Sequence, residues 1–300
     1  MSKILYILIQ SIAALLIFVA LNNIAVYIMK NEDIIEDPTK LIKQLIIPGW
    51  VETKGFTDKA FNTYNRFAKN YKKLPKSSNK FGGAQFTYTL WTKFNNVSAE
   101  NLAGKVLFLQ GDKKKYPYTE TIYNKATAKT DYLVKCPLVK FGNNSNELIV
   151  EFNTTKDITE TAVISRVQSS DETLRHNIFS LTPGKWTMMT FVFQDDKRYG
   201  DPENGIIFSF YLNDVLYSTQ RFTGALRLNQ GDLNILPGSS IQDGYISDLT
   251  YHNYALNPNE ITKLVSMGYT NKRYDEMQSD PSFNQPLYLS QYNKLEINNL

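Results

Sequence analysis

The stretch Phe86-Thr-Tyr-Thr-Leu-Trp-Thr-Lys-Phe94 decides the fold class, because its residue types alternate with a period of two. Successive side chains of a β-strand point to opposite faces, so this stretch predicts a strand with two different faces. Comparable runs rich in β-branched and aromatic residues follow it, separated by Gly, Asn and Asp turns. They cover residues 105–110, 138–141, 148–152, 162–167, 186–193, 206–212, 215–219, 232–235 and 244–254. About ten short strands with no long helix between them predict an all-β, antiparallel two-sheet sandwich.

A short helix is predicted directly after the last strand. Asn257 can cap its N-terminus, Pro258 suits its first position, and Glu260 stands where a capping box needs it. Gly268 can end the helix, so the predicted range is 258–267. The polar residues 269–300 that follow are expected either to form a strap along the domain or to be partly disordered.

The composition narrows the classes of function. The chain has 300 residues and a formal net charge of +4, which is too weak to predict a nucleic-acid partner. Its one cysteine, Cys136, cannot form an internal disulfide and is expected to be a small buried side chain. The only two histidines, His176 and His252, are interpreted as ordinary loop and strand side chains. This composition argues against a histidine-dependent enzyme.

Residues 1–29 are predicted to form a membrane anchor. Residues 4–21 contain no charged side chain, and 12 of these 18 are Leu, Ile, Phe or Val. On an insertion scale they sum to about −5 kcal/mol, and the run is longer than the apolar core of a cleaved signal peptide, which is the alternative. The basic residues on the two sides of the run nearly balance, so the orientation stays open. The residues assigned to the membrane anchor are Ile4, Leu8, Ile12, Leu16 and Val19.

Residues 30–80 are predicted to be a stalk that contains an amphipathic basic helix. Apolar residues recur there at intervals of three and four, which places them on one face of a helix of about four turns. Two interpretations are open: the helix docks on the domain, or it lies near anionic headgroups. The apolar face comprises Phe56, Ala60, Phe61, Tyr64, Phe67, Ala68 and Tyr71, and the basic face comprises Lys59, Arg66, Lys69 and Lys72.

Paired carboxylates would be the signature of a glycoside hydrolase, and they are weakly represented. Glu147 and Glu151 are four residues apart, but Glu147 stands beside an Asn-rich turn. Asp157 and Glu160 belong to a polar loop. We therefore expect no enzymatic activity and no catalytic residues.

An acidic loop at 194–205 offers the best candidate for a metal. Asp195, Asp196 and Asp201 supply hard oxygen ligands of the kind that Ca²⁺ prefers, and Glu203 is close in sequence. The alternative is an ordinary acidic hairpin loop, partly neutralised by the basic residues within it. No other cofactor is expected.

The sequence suggests two roles for glycans, as covalent modifications of the chain and as ligands. The sequons at Asn96, Asn143 and Asn153 would lie on the surface and could be glycosylated in a lumen. Lectin activity would need an aromatic platform, and the chain has 17 Phe, 19 Tyr and 3 Trp from which to build one. The sequence does not identify which rings are exposed.

Four landmarks occur in the same order as in a known family. They are residues 86–94, Ser180-Leu-Thr-Pro-Gly-Lys-Trp186, Phe210-Tyr-Leu-Asn-Asp214, and the strand 244–256 followed by Glu260-Ile261. Over residues 81–268 the chain resembles the concanavalin A-like, laminin-G-like jelly roll. That family contains lectins and glucanases, and the Glu-x-Asp-x-x-Glu strand of the glucanases is absent here. The resemblance therefore implies a jelly roll that binds and does not hydrolyse.

A narrower resemblance concerns the order of the segments. An anchor, a stalk, and Leu74-Pro-Lys-Ser-Ser-Asn-Lys-Phe-Gly-Gly-Ala-Gln-Phe-Thr-Tyr88 leading into such a jelly roll look like membrane-anchored proteins of large nucleocytoplasmic DNA viruses. This resemblance implies a structural role as a minor capsid or membrane-associated virion component, with the lipid bilayer and other virion proteins as partners. The implied location is the internal membrane or envelope of the particle, as a single-pass protein. An attachment lectin is the first alternative, and a glycoside hydrolase is the second.

Overall fold

The computed structural model describes most of the chain from residue 41 to residue 279. The described residues are 13, 15–21, 23, 41–65, 67–78, 83–118, 130–143, 147–155, 160–165, 180–196, 205–228, 231–238 and 240–279. The chain divides into two compact units, residues 1–40 and residues 41–300.

The described residues of the first unit are helical and exposed, and they include Leu16 and Val19. None of the helices in the described ranges has both the length and the apolar character that crossing a bilayer requires. Ile4, Leu8 and Ile12, and most of the predicted anchor, lie outside the described residues. The anchor therefore stays a prediction.

The second unit contains two six-stranded sheets, and every strand pairs antiparallel with its neighbours. Sheet 1 has the order β1-β12-β3-β8-β9-β10, and sheet 2 has the order β2-β11-β4-β5-β6-β7. The strands of sheet 1 are β1 Lys43–Glu52, β3 Gln85–Phe94, β8 Thr187–Asp196, β9 Gly205–Leu212, β10 Val215–Thr223 and β12 Gly244–His252. Those of sheet 2 are β2 Lys59–Phe61, β4 Val106–Tyr118, β5 Thr130–Phe141, β6 Glu147–Phe152, β7 Glu160–Ser165 and β11 Leu233–Ile235.

One core fills the space between the sheets, and aromatic rings dominate it. Tyr88 of β3 lies 5.1 Å from Phe108 of β4, centroid to centroid, and Phe94 lies 5.7 Å from Phe141. The alternation in residues 86–94 puts Leu90 into this core and Trp91 on the other face of sheet 1. The predicted antiparallel sandwich is confirmed.

The predicted stalk helix over residues 56–71 is wrong. The described residues of this range form the strand β2 and a hydrogen-bonded loop, after a 3-10 turn at Thr53–Gly55. The apolar spacing had a different cause, because Phe56 and Phe61 are buried in the core of the sandwich. Asn62 also accepts hydrogen bonds from the backbone N–H groups of Tyr64 and Asn65, and such side-chain bonds compete with a helix. Arg66 lies outside the described residues.

The described part of the unit also contains three short helices: α1 Ala99–Leu102, α2 Pro258–Met267 and α3 Tyr274–Ser279. The helix predicted at 258–267 is confirmed together with its capping box. The Asn257 side chain accepts from the Glu260 N–H at 3.0 Å, and the Glu260 carboxylate accepts from the Asn257 N–H at 2.8 Å. Residues 269–279 lie along the domain, with the Tyr274 ring 5.3 Å from Phe56. Residues 280–300 lie outside the described part.

Candidate functional site

The outer face of sheet 1 carries a second apolar cluster, apart from the central core. Helix α2 packs on this face through Ile261, and the strands contribute Trp91, Met188, Val192 and Tyr211. Trp91 and Met188 are register partners on β3 and β8, so both point away from the central core. The buried cluster anchors α2 on the sheet.

Five aromatic rings extend this cluster into a continuous series that we call the aromatic row. Its members in spatial order are Trp50, Tyr245, Trp186, Tyr269 and Trp91. Successive ring centroids are 5.7, 6.4, 4.3 and 6.1 Å apart. The row contains all 3 tryptophans of the chain, and all its members except Trp91 are partly exposed. Rings of this size on an outer sheet face form a platform that a ligand can contact.

Two basic side chains stand at the Trp50 end of the row. The Lys93 ammonium lies 5.5 Å from the centre of the Tyr245 ring, and the Arg273 guanidinium lies 5.3 Å from the centre of the Trp50 ring. Neither cation forms an ion pair with another residue of the described part of the chain. A cation near an aromatic face that lacks an anionic partner is suited to a ligand that carries a negative group.

The register of sheet 1 explains why these residues meet. Tyr245 is the partner of Lys93, and Ser247 is the partner of both Trp91 and Trp50. Antiparallel partners share a face of the sheet, so the row forms across three strands. Trp186 lies one residue before β8, on the same outer face.

Asp248 fixes the two segments that border the row. Its carboxylate accepts hydrogen bonds from the N–H of Gly49 at 3.0 Å and from the N–H of Thr270 at 2.6 Å. Asp248 has a φ of 50°, which is uncommon for a residue other than glycine and marks an irregularity within β12. One side chain therefore holds the neighbours of both Trp50 and Tyr269 in place.

The predicted calcium ligands have structural partners. Asp195 accepts from the N–H of Ala84 at 2.8 Å, and Asp196 forms an ion pair with Arg221 at 3.1 Å. Asp201 lies outside the described residues. No group of three metal-ligating side chains occurs within the ranges that the structure describes. The calcium site stays a prediction.

The three sequons differ in exposure. Asn96 and Asn143 are exposed. Asn153 is 1% exposed, and its side-chain oxygen accepts from the N–H of Lys135 at 2.7 Å. The expectation that every sequon lies on the surface is therefore wrong for Asn153, because this amide replaces a backbone partner within sheet 2.

Two of the carboxylates considered for glycoside hydrolysis, Glu147 and Glu151, are described, and both have structural partners. Glu147 accepts from the N–H of Asn143 at 3.0 Å. Burial alone would raise the pKa of Glu151, but hydrogen bonds and ion pairs with Lys135 and Lys140 lower it below the usual value. A carboxylate kept ionised by two lysines is a poor proton donor. Asp157 lies outside the described residues.

The sequence did not reveal the aromatic row as a unit. Its members come from five separate segments, which are brought together by strand register, by the Asp248 contacts and by the hydrogen bond from the Trp50 N–H to the Lys272 carbonyl at 2.9 Å. The one indication in the sequence was the alternation along β3, which places Trp91 and Lys93 on the face opposite Phe86 and Leu90.

No known protein family and no curated protein matches the sequence. Solved structures similar to the chain include the receptor binding domain of botulinum neurotoxin C/D mosaic serotype (TM-score 0.39, 11% identity). The receptor binding domain of botulinum neurotoxin D matches with a TM-score of 0.40 at 10% identity. The binding domain of botulinum neurotoxin DC, in complex with rat synaptotagmin II, matches with a TM-score of 0.37 at 12% identity. The three matches cover 62%, 76% and 76% of this chain, which spans only 36%, 48% and 46% of theirs.

Proposed function

We propose that this chain is a non-enzymatic recognition protein whose sandwich binds glycans at the aromatic row. The observation that carries the proposal is the gathering of all 3 tryptophans, with two tyrosines, on one outer face. Aromatic rings stack against the apolar C–H faces of pyranose sugars, and tryptophan and tyrosine dominate the energetics of binding surfaces. The resemblance of residues 81–268 to concanavalin A-like domains supports the same function.

The proposal is tested with the full chain in detergent, first on a glycan array and then by titration of the best ligand. Because every tryptophan lies in the row, intrinsic fluorescence reports binding without a label. Trp50→Ala removes the ring at the open end of the row, and we expect about tenfold weaker binding, equivalent to about 1.4 kcal/mol.

Two further variants make the titration specific. Arg273→Gln leaves the rings in place and removes one cation, so it should weaken binding of acidic glycans and leave neutral ones unchanged. Leu216→Ala is the matched control, because Leu216 is 42% exposed on β10 at the opposite edge of the same sheet. If the Trp50→Ala protein and the parent bind the glycan with equal affinity, the aromatic row is not the binding site.

A second and more specific part of the proposal concerns location: the protein is a membrane-anchored minor component of a virion. The uncharged run at 4–21 and the resemblance of residues 74–88 and the domain that follows to viral membrane proteins support it. Its partners would then include the lipid bilayer and neighbouring virion proteins.

The anchor has its own test. We expect deletion of residues 1–29 to move the chain from the membrane fraction to the aqueous fraction after extraction in about 1 M salt, a concentration that screens surface charge. A full-length protein treated in parallel should stay with the membranes. If the shortened chain also stays with them, residues 1–29 are not what holds the protein there.

A further inference from the structure

A second exposed feature lies away from the aromatic row, in the loop that follows β2. We call residues 62–72 the lysine loop. Its ends are closed by backbone hydrogen bonds, from the Asn62 N–H to the Asn70 carbonyl at 3.2 Å and from the Lys72 N–H to the Asn62 carbonyl at 2.9 Å. The Asn70 side chain also donates to the Ala60 carbonyl at 2.7 Å, which ties the loop to β2.

The interior of the lysine loop is hydrogen bonded as well. The Asn62 side chain accepts from the N–H groups of Tyr64 at 3.3 Å and Asn65 at 2.6 Å. The Asn65 side chain accepts in turn from the Phe67 N–H at 3.0 Å. The backbone N–H groups of both aromatic residues are thus hydrogen bonded within the loop, so the two rings are exposed from a loop that has its own internal contacts.

This folded loop holds two large rings in water. Phe67 is 92% exposed, the highest value among the large hydrophobic side chains of the described residues, and Tyr64 is 63% exposed. A phenylalanine with so little contact gives almost no stability to the fold and would gain free energy by entering an apolar phase.

The charge of the segment that carries the two rings indicates which apolar environment they would enter. Residues 53–78 contain six lysines and one arginine against one acidic residue, Asp58, a formal net charge of +6 in a chain whose total is +4. The Asp58 carboxylate accepts from the Gly238 N–H at 2.9 Å. Exposed aromatics beside a lysine cluster suit an interface in which anionic headgroups cover an acyl layer.

We propose that the lysine loop docks on a lipid bilayer rich in anionic headgroups, with Phe67 and Tyr64 at the boundary between headgroups and acyl chains. Lys69 is exposed and stands two residues after Phe67, so it faces the phosphates, and the exposed Lys59 of β2 adds to the positive charge of the same segment. This contact is independent of the glycan proposal and does not need residues 1–29.

The test uses the full chain reconstituted in vesicles, with Phe67→Trp as the reporter. Acyl chains brominated near the headgroup quench the fluorescence of tryptophans that enter the boundary between headgroups and acyl chains. Because the parent protein has 3 tryptophans, its emission is subtracted to obtain that of the added one. In vesicles with about 30 mol% phosphatidylserine, we expect at least twofold stronger quenching of the added emission than in pure phosphatidylcholine. Raising the salt to about 1 M, or adding Lys69→Glu, should abolish at least half of that difference.

The matched control is Leu216→Trp, which places the same reporter at an exposed position on β10. It should show equal quenching in both lipids. The proposal is overturned if Phe67→Trp behaves like this control. It is also overturned if the added emission is shielded from an aqueous quencher without anionic lipid, which would mean that a protein surface covers the loop. Loss of glycan binding in Trp50→Ala has no bearing on this result, so the two proposals fail separately.

Discussion

Phe193→Ala is expected to lower the free energy of unfolding by about 4 kcal/mol, the usual cost of truncating a phenylalanine in a close-packed core. The Phe193 side chain is fully buried. Its ring stacks on Phe86 at 4.7 Å and contacts Phe208 at 5.0 Å within sheet 1. It also meets Phe152 of sheet 2 edge-on at 5.5 Å. The substitution therefore opens a cavity where the two sheets meet, and rigid neighbouring rings cannot collapse to fill it.

Urea denaturation followed by tryptophan fluorescence measures this effect. Phe67→Ala is the matched control, since it removes the same ring from a position that is 92% exposed, and we expect a change of less than about 0.5 kcal/mol. Similar losses for the two variants would contradict the assignment of Phe193 to the inter-sheet core.

Much of the sandwich follows from local patterns in the sequence. The period of two in residues 86–94 identified β3, because one face of that strand is buried in the core and the other carries Trp91 and Lys93. The predicted strands 206–212 and 215–219 leave Asn213-Asp214 as the link between β9 and β10, and Asn213 has the positive φ of 57° that such turns favour. Its side chain accepts from the Met188 N–H at 3.0 Å, a contact with β8 that no local pattern reveals.

The errors share one cause, which is that tertiary contacts override local spacing. The apolar residues in 56–71 recur with helical spacing, yet Phe61 enters the central core from a strand while Phe67 stays in water. Strand β1 was missed for a related reason. This strand lies at an edge of sheet 1, where Lys43 pairs with His252 and Trp50 pairs with Ser247. Because the paired residues are about 200 positions apart, no short stretch of the sequence contains a pattern that predicts the pairing.

The candidate site lay beyond sequence reasoning for the same reason. Trp50 and Tyr245 form a contact because β1 and β12 are neighbours, and Lys93 joins them from β3. The sequence shows which aromatic residues are present, but the order of the strands in the sheet determines which of them are adjacent. The proposed glycan site is therefore a consequence of topology, whereas the lysine loop is readable as a basic segment in the sequence and needed only its exposure from the structure.

Acidification from pH 6.5 to pH 5 is expected to cost about 2 kcal/mol of stability, because each pH unit costs about 1.4 kcal/mol while only the unfolded chain binds the proton. The group responsible is His252, which is 2% exposed on β12. Burial lowers the pKa of His252 to about 3, and the nearby charge of Lys43 lowers it in the same direction. The unfolded chain takes up this proton below about pH 6.5, whereas the folded chain stays neutral until about pH 3.

Two features assign this pH window to His252 and not to Glu151. Neither ring nitrogen has a hydrogen-bond partner among the described residues, so no contact there stabilises the charged form. The pKa of Glu151 is lowered in the fold, so its stabilising contribution is present above about pH 4.3 and is lost only at lower pH. Of these two groups, His252 is thus the one whose protonation differs between the folded and the unfolded chain from pH 6.5 to pH 5.

Urea denaturation at pH 6.5, 5.75 and 5 measures the slope, and His252→Leu should flatten it. This variant should also keep or increase the stability at pH 7, because it replaces a buried ring without polar partners by an apolar side chain. His176→Gln is the control, since it removes the other imidazole of the chain and should leave the slope unchanged. A slope that persists in His252→Leu and disappears in His176→Gln would assign the acid sensitivity to His176 and would mean that the pKa of His252 differs little between the folded and unfolded chains.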